Sequence, residues 1–373
     1  MPKLQDSSSS ERAPRLESLD VLRGFDMICM AVGEEIGRGL HAAFPNAATQ
    51  WVADQFSHVA WAGVHFYDLI FPLFVFIAGI SIVFSVDRMM ESGGRGLAVR
   101  RIVTRTLVLV ALGIFYYRGL ENGYEKIRLL GVLQRIGLCY GAAALLYCFF
   151  KTRGLLAWTA GLLLGYWAMM ALIPVPGHGA GNYAEGMNLA NYVDKQWLPF
   201  RKWDGDHDPE GLLSTLPAVG SCLLGVLTGI FLKSPGMEGS RKARTLFFAG
   251  VAGMVAGHLW GLSFPVIKKI WTSSYVLVAA GWSAVFMALF YQVIDVWKWR
   301  RWTPVCLWVG LNPITFYMLF NLIDFEKVGN RLVGGEIQRA LGHGHELVLH
   351  LVILGMALAV VRFMHRRRVY LRV

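Results

Sequence analysis

The chain has 373 residues, of which 55% are hydrophobic and 16% charged, with a formal net charge of +11. A soluble domain carries about 25% charged residues, so an ordinary soluble fold is excluded, and the apolar runs reach the roughly 20 residues needed to cross a bilayer. Most of the positive charge falls in short segments between those runs, where it reads as membrane orientation and not as a nucleic-acid footprint.

Residues 1–17 are polar and Ser-rich, and are expected to be a disordered cytoplasmic arm with no cleavable signal. Residues 18–373 read as one membrane domain. The hydrophobic pattern predicts an all-α bundle of about ten spans, at 19–36, 64–86, 102–117, 129–150, 154–174, 212–232, 244–263, 273–296, 303–324 and 346–364. With the N-terminus inside, the inside segments hold almost twice as many Lys and Arg as the outside ones. Both termini are therefore expected to be cytoplasmic. The stretch around His58 and the loop 175–211 then lie outside, and that loop is long for a connector. Cys29, Cys139, Cys148, Cys222 and Cys306 all sit in or beside apolar runs, without a CxxC, and read as small buried hydrophobes.

Ionisable groups inside spans are costly and mark function by default. In span 1, Asp20, Arg23 and Asp26 are expected to form an ion-pair cluster, whereas Glu34 and Glu35 approach the other surface with only Arg38 near them in sequence. In "FSHVAWAGVHFYDLIFP", His58, Trp61, His65, Asp68 and Pro72 are spaced 3, 4, 3 and 4. On a helix they would form one stripe facing the bundle interior, as a functional pocket does. Span 4 carries Gln134 and Arg135 in its apolar run. The guanidinium cannot deprotonate and needs a partner, either Asp68, an acid of span 1, or a ligand. Span 9 places Asn312 before Pro313, where a broken helix frees carbonyls; substrate contact and helix repair both fit. In "DHDPEG" (206–211), Asp208 is expected to cap span 6, and Asp208 and Glu210 could hold a cationic substrate. No metal is expected. The histidines of "HELVLH" (345–350) are one residue too far apart for the zinc pattern, and "GHGAG" (177–181) lacks the GK[ST] of a phosphate loop.

Several stretches in one order carry a resemblance: "RLESLDVLRGFDM" (15–27), "HVAWAGVHFYDLIFPLFVFIAGISI" (58–82), "RLLGVLQRIGLCY" (128–140), "DPEGLLSTLPAVGSCLLGVLTG" (208–229), "PVIKKIWTSSYVL" (265–277) and "GLNPITFYM" (310–318). Together the chain resembles the heparan-α-glucosaminide N-acetyltransferase family, in the form of a short bacterial member without the lumenal N-terminal domain. The resemblance implies transfer of an acetyl group from cytoplasmic acetyl-CoA, as co-substrate, to the amine of an extracytoplasmic amino sugar. It also implies that a histidine at the start of span 2 is essential, the place His58 holds here. Imidazole titrates near neutral pH, so His58 could take the amine's proton or accept the acetyl group itself.

Where the lysosomal member has a span-1 asparagine, counting from the shared Arg-Gly places Glu34. A carboxylate can hold an ammonium but is a poorer donor to an oxyanion unless protonated. Either the oxyanion is stabilised elsewhere or the acceptor is not heparan; a bacterial chain would more naturally meet cell-wall amino sugars. The site read from sequence comprises His58, Glu34 and Asp68 as catalytic groups and Trp61, His65, Arg135, Asn312, Asp208 and Glu210 around the substrates. Arg100 and Arg101 are assigned to the CoA phosphates. The expected setting is a bacterial inner membrane, with the bilayer and the acceptor as partners and a homodimer as one option for assembly. A permease for amino sugars or cell-wall fragments, and an O-acyltransferase of surface polysaccharide, are the rival readings.

Overall fold

A computed structural model describes residues 16–119, 121 and 123–370. Residues 1–15 of the expected arm lie outside the described residues. The chain forms α1 (Glu17–Ala43), α2 (Ala47–Gln55), α3 (Ile70–Tyr116), α4 (Val132–Phe149), α5 (Thr152–Leu172), α6 (Leu189–Trp197) and α7 (Thr215–Lys233). It continues with α8 (Gly239–Trp260), α9 (Ser273–Phe290), α10 (Pro304–Leu311), α11 (Pro313–Leu322), α12 (Phe325–Val333), α13 (Glu336–Leu341) and α14 (His345–Arg366). Among the described residues the β pairing is limited to two isolated bridges, so the fold is all-α, as expected.

Each predicted span falls on a helix, but the count of ten is not established. Among the described residues, six helices are long and apolar enough to cross a membrane, or seven if α10 and α11, bent by 81° at their junction, count as one broken span. α1 is outside this set because it carries Asp20, Arg23, Asp26, Glu34, Glu35 and Arg38. The break between α10 and α11 falls at Asn312–Pro313, where proline lacks the N–H that would continue the ladder.

α3 is two helices in one. Gly94 has φ +73°, a left-handed conformation that glycine adopts without steric cost, and the chain reverses there. Asp87, before the break, accepts from Tyr147 at the C-terminal end of α4 (2.9 Å). After the break, Thr106 and Leu109 lie against Gly141 and Gly137, and Gly113 lies against Gln134, so 95–116 runs back antiparallel to α4. The predicted spans 64–86 and 102–117 are thus separate passes of the bundle.

Helices meet at backbone distance in several places. A Cβ on Gly310 would fall 1.8 Å from the Asp20 carbonyl oxygen, and one on Gly24 would fall 1.7 Å from that of Cys306, which locks α1 to α10. Gly79 and Gly225 do the same between α3 and α7. In α1, Arg23 donates to Asp20 (3.0 Å) and Ser81 (2.7 Å). Asp26 is fully buried, and neither of its carboxylate oxygens has a hydrogen-bond partner among the described residues. Of the expected three-residue cluster, Arg23 and Asp20 are joined by a hydrogen bond, and Asp26 is not hydrogen-bonded to them. The five cysteines are free thiols.

Candidate active site

Three connecting segments meet at one end of the bundle: 56–65 before α3, 173–214 around α6, and 261–272 before α9. The first two are joined by Trp61, whose Nε1 donates to the Tyr183 carbonyl (2.9 Å). The first and third are joined by the Ala62–Ile267 bridge and by Gly63 N–H donating to Val266 (2.9 Å).

The predicted helical stripe from His58 to Pro72 is corrected here. Residues 57–65 are not helical, and helix begins only at Phe66, as a single 3₁₀ turn before α3. The reason is where the backbone donors go. The Asp68 carboxylate takes the N–H groups of Val59 (3.2 Å) and His65 (3.1 Å), and Val266 takes that of Gly63. A helical ladder would have to give up these bonds.

The loop nevertheless brings His58 to Asp68. Asp68 is completely buried, and its Oδ1 lies 2.8 Å from His58 Nδ1 and 3.2 Å from Lys268 Nζ. An ionised carboxylate only accepts, so Nδ1 carries the proton and donates it. Nε2 is then the free base nitrogen, on a side chain that is 51% exposed. Tyr67 packs against the imidazole, with ring centroids 4.8 Å apart, and its hydroxyl donates to Met30 of α1 (3.1 Å). Tyr275 donates to the Asp68 carbonyl (2.6 Å). Both Asp68 oxygens are thus engaged, by His58, Lys268 and the N–H groups of Val59 and His65.

Lys268 was not singled out from sequence. Its ammonium lies 3.0 Å from His58 Nδ1 and 3.5 Å from Nε2. Burial pushes it below lysine's ordinary range, against the pull of Asp68. Its only trace in the sequence is the doublet Lys268-Lys269 in an otherwise apolar connector.

Glu34 is half-buried, makes no hydrogen bond or ion pair with the described residues, and lies near enough for its charge to act on Lys268. Arg38, its neighbour in sequence, pairs with Glu346 (3.8 Å). His65 lies beside the site, with Nδ1 3.1 Å from the Ser57 carbonyl.

Other predicted positions serve the frame around this group. Arg135 is fully buried, donates to Ser214 (2.5 Å) and Gly211 (3.2 Å), and lies over the Trp271 ring. Its partners are neither Asp68 nor an acid of α1. Asp208 does not cap α7, which starts at Thr215 after Ser214. Asp208 and Glu210 both accept from Arg128, at 2.6–2.8 Å and 2.6 Å, in a buried cluster between Tyr117 and Trp203. Their charges are committed there, which removes them from reach of a cationic substrate. Asp194, also buried, takes the N–H groups of Leu212 (2.8 Å) and Asp208 (3.3 Å), and burial pushes its carboxyl up to about 6. Asn312 donates to the Val369 carbonyl (3.2 Å), which ties the break to the chain's C-terminal end. Arg100 and Arg101 are exposed on α3 just past its reversal, at the end of the bundle away from His58.

A histidine held by a buried aspartate beside a lysine, in the mouth of an apolar bundle, sits within residues 15–258, which match the family described as "Heparan-alpha-glucosaminide N-acetyltransferase, catalytic". The chain belongs to that family. It is 28% identical over 362 residues to the human heparan-alpha-glucosaminide N-acetyltransferase, covering 82% of this chain and 52% of the human protein. Against the mouse protein of the same name the figures are 26% over 379 residues, 86% and 55%. The chain thus spans about half the length of these curated relatives. Lys268 and Asp68 lie on opposite sides of the matched region's C-terminal limit, so the family match alone does not delimit the site.

Proposed function

We propose that this chain is a membrane-bound acetyltransferase that moves an acetyl group from acetyl-CoA to the amine of an amino sugar. The observation that carries it is the His58–Asp68 pair, with Nε2 open to solvent and Lys268 beside it. The acceptor amine, held near the Glu34 carboxylate, attacks the thioester carbonyl. His58 Nε2 takes the proton released as the C–N bond forms, or itself receives the acetyl group and passes it on. The Lys268 ammonium keeps hydrogens beyond the one directed at Asp68, and these face the developing oxyanion, the part a family asparagine would otherwise play. The C–S bond then breaks, and the CoA thiolate leaves and is protonated. In this reading Arg100 and Arg101 receive the CoA phosphates on the cytoplasmic side of a bacterial inner membrane, and the His58 end opens to the other side.

The test is acetyl-CoA with a panel of amino sugars and purified protein in detergent, following CoA release and the mass of the product. Acceptor-dependent acetylation, lost in His58→Ala with the melting temperature nearly unchanged, is the expected result. Binding of an amino sugar without CoA release would reject the enzyme in favour of a permease.

A further inference from the structure

A second group of converging side chains lies in the 173–214 segment, apart from the His58 site. The turn after Trp203 folds back on itself, with Asp204 N–H donating to the His207 carbonyl (3.1 Å), so both side chains project from one turn. Glu185, from the turn after Tyr183, meets them. His207 Nε2 lies 3.7 Å from Glu185 Oε1 and 3.8 Å from Asp204 Oδ2. These separations are too long for hydrogen bonds. They are close to the about 3.4 Å between neighbouring ligands in a tetrahedral shell with bonds of 2.0–2.2 Å. The histidine is only 6% exposed, and neither ring nitrogen has a hydrogen-bond partner among the described residues. A buried imidazole left in that state is costly. The Lys269 ammonium touches the same two oxygens, at 2.8 Å from Glu185 and 3.0 Å from Asp204, so a positive charge is already favoured at this point.

We propose that Glu185, Asp204 and His207 form a binding site for one divalent transition-metal ion, Zn²⁺ by donor type, in competition with the Lys269 ammonium. One imidazole and two carboxylates suit zinc better than calcium or magnesium, which prefer shells of oxygen alone. Three protein ligands leave a fourth position for solvent, and Glu185, 45% exposed on its side chain, provides the way in. The bound ion displaces Lys269 toward the Trp61 ring, whose centre is 5.9 Å from Nζ. It also ties the 183–185 turn, which holds Trp61 through the Tyr183 carbonyl, to the 204–207 turn.

The experiment is titration of Zn²⁺ into chelator-treated full-length protein in detergent, by calorimetry and by metal analysis after desalting, with Ca²⁺ in parallel. Wild type should retain one Zn²⁺ per chain in excess of His207→Ala, whose affinity should fall at least tenfold, and Ca²⁺ should bind more weakly. Lys269→Met keeps all three ligands and removes the competitor, so its Zn²⁺ affinity should rise several-fold. This arm stands even if His207→Ala does not fold. Equal zinc in wild type and His207→Ala would mean an adventitious ion only. That result, an unchanged or weaker Lys269→Met, or tighter binding of Ca²⁺ than of Zn²⁺, would each overturn the proposal.

Discussion

Asp68→Asn should silence the proposed transfer while leaving the acetyl-CoA Michaelis constant close to its wild-type value. The carboxylate accepts from four donors at once: His58 Nδ1, Lys268 Nζ, and the N–H groups of Val59 and His65. An amide of the same shape has one oxygen to offer. If that oxygen serves the two backbone groups, the NH₂ faces His58 and forces Nδ1 to accept. The ring proton then moves to Nε2, and the base is lost. The equivalent change in Ser-His-Asp hydrolases lowers kcat about 10⁴-fold, which is about 5.5 kcal/mol at 1.36 kcal/mol per tenfold. Lys268 also loses its counter-ion. Breaking a buried pair costs about 3–5 kcal/mol, and the lower end applies because Lys268 is 19% exposed on its side chain. The assay is acceptor-dependent CoA release beside a melting curve. The double variant Asp68→Asn, Lys268→Met removes both charges, and should recover stability without recovering activity. A folded Asp68→Asn protein within tenfold of wild-type turnover would refute the role assigned to the pair.

Glu34→Gln should raise the acceptor's Michaelis constant several-fold and leave that of acetyl-CoA alone, because a charge-assisted hydrogen bond is worth about 1.5–3 kcal/mol against about 0.5–1.5 for a neutral one. Loss of turnover at saturating acceptor, with that constant unchanged, would instead place Glu34 behind His58. Asp194, with its carboxyl pushed up to about 6, binds a proton more readily folded than unfolded. Its contribution to stability should be full below about pH 4 and fall by about 3 kcal/mol as pH rises through 6. Melting curves from pH 4 to 8 should show that slope in wild type and not in Asp194→Asn; parallel curves would reject it. Gly310→Ala should lower the melting temperature sharply, because its Cβ would meet the Asp20 carbonyl at 1.8 Å and overpacking typically costs about 1–3 kcal/mol or more. Gly161→Ala on α5, with nothing within 4 Å, should be neutral or slightly stabilising; equal effects would contradict the α1–α10 contact.

The helices were legible because long apolar runs read as helix whatever their neighbours. Against the ten expected spans, though, only six or seven helices among the described residues are apolar enough to cross a membrane. The break at Asn312–Pro313 was legible for a local reason, the missing proline N–H. The two residues of the central pair, His58 and Asp68, are close enough in sequence to have been named together, although by way of a helix that does not form. What the sequence could not show is a loop whose backbone is satisfied by a carboxylate and by a strand-like contact with residues some 200 positions away. Lys268 reaches His58 across 210 residues, and no spacing rule connects them. The same holds for Arg128, which collects Asp208 and Glu210 from 80 and 82 residues downstream, and so turns two apparent substrate ligands into part of the frame.

The reversal at Gly94 is also where the chain can be opened. Residues 91–96 are all exposed, and no atom lies within 4 Å of where a Gly94 side chain would begin. A reporter domain or protease site spliced there adds to a loop that closes at the surface, and closure costs rise only slowly with length. It disturbs neither the α1–α10 nor the α3–α7 seam and stands at the opposite end from His58. Such an insertion turns this turn into a flag for one face of the membrane, readable in intact cells, on a protein whose His58 end is left unchanged.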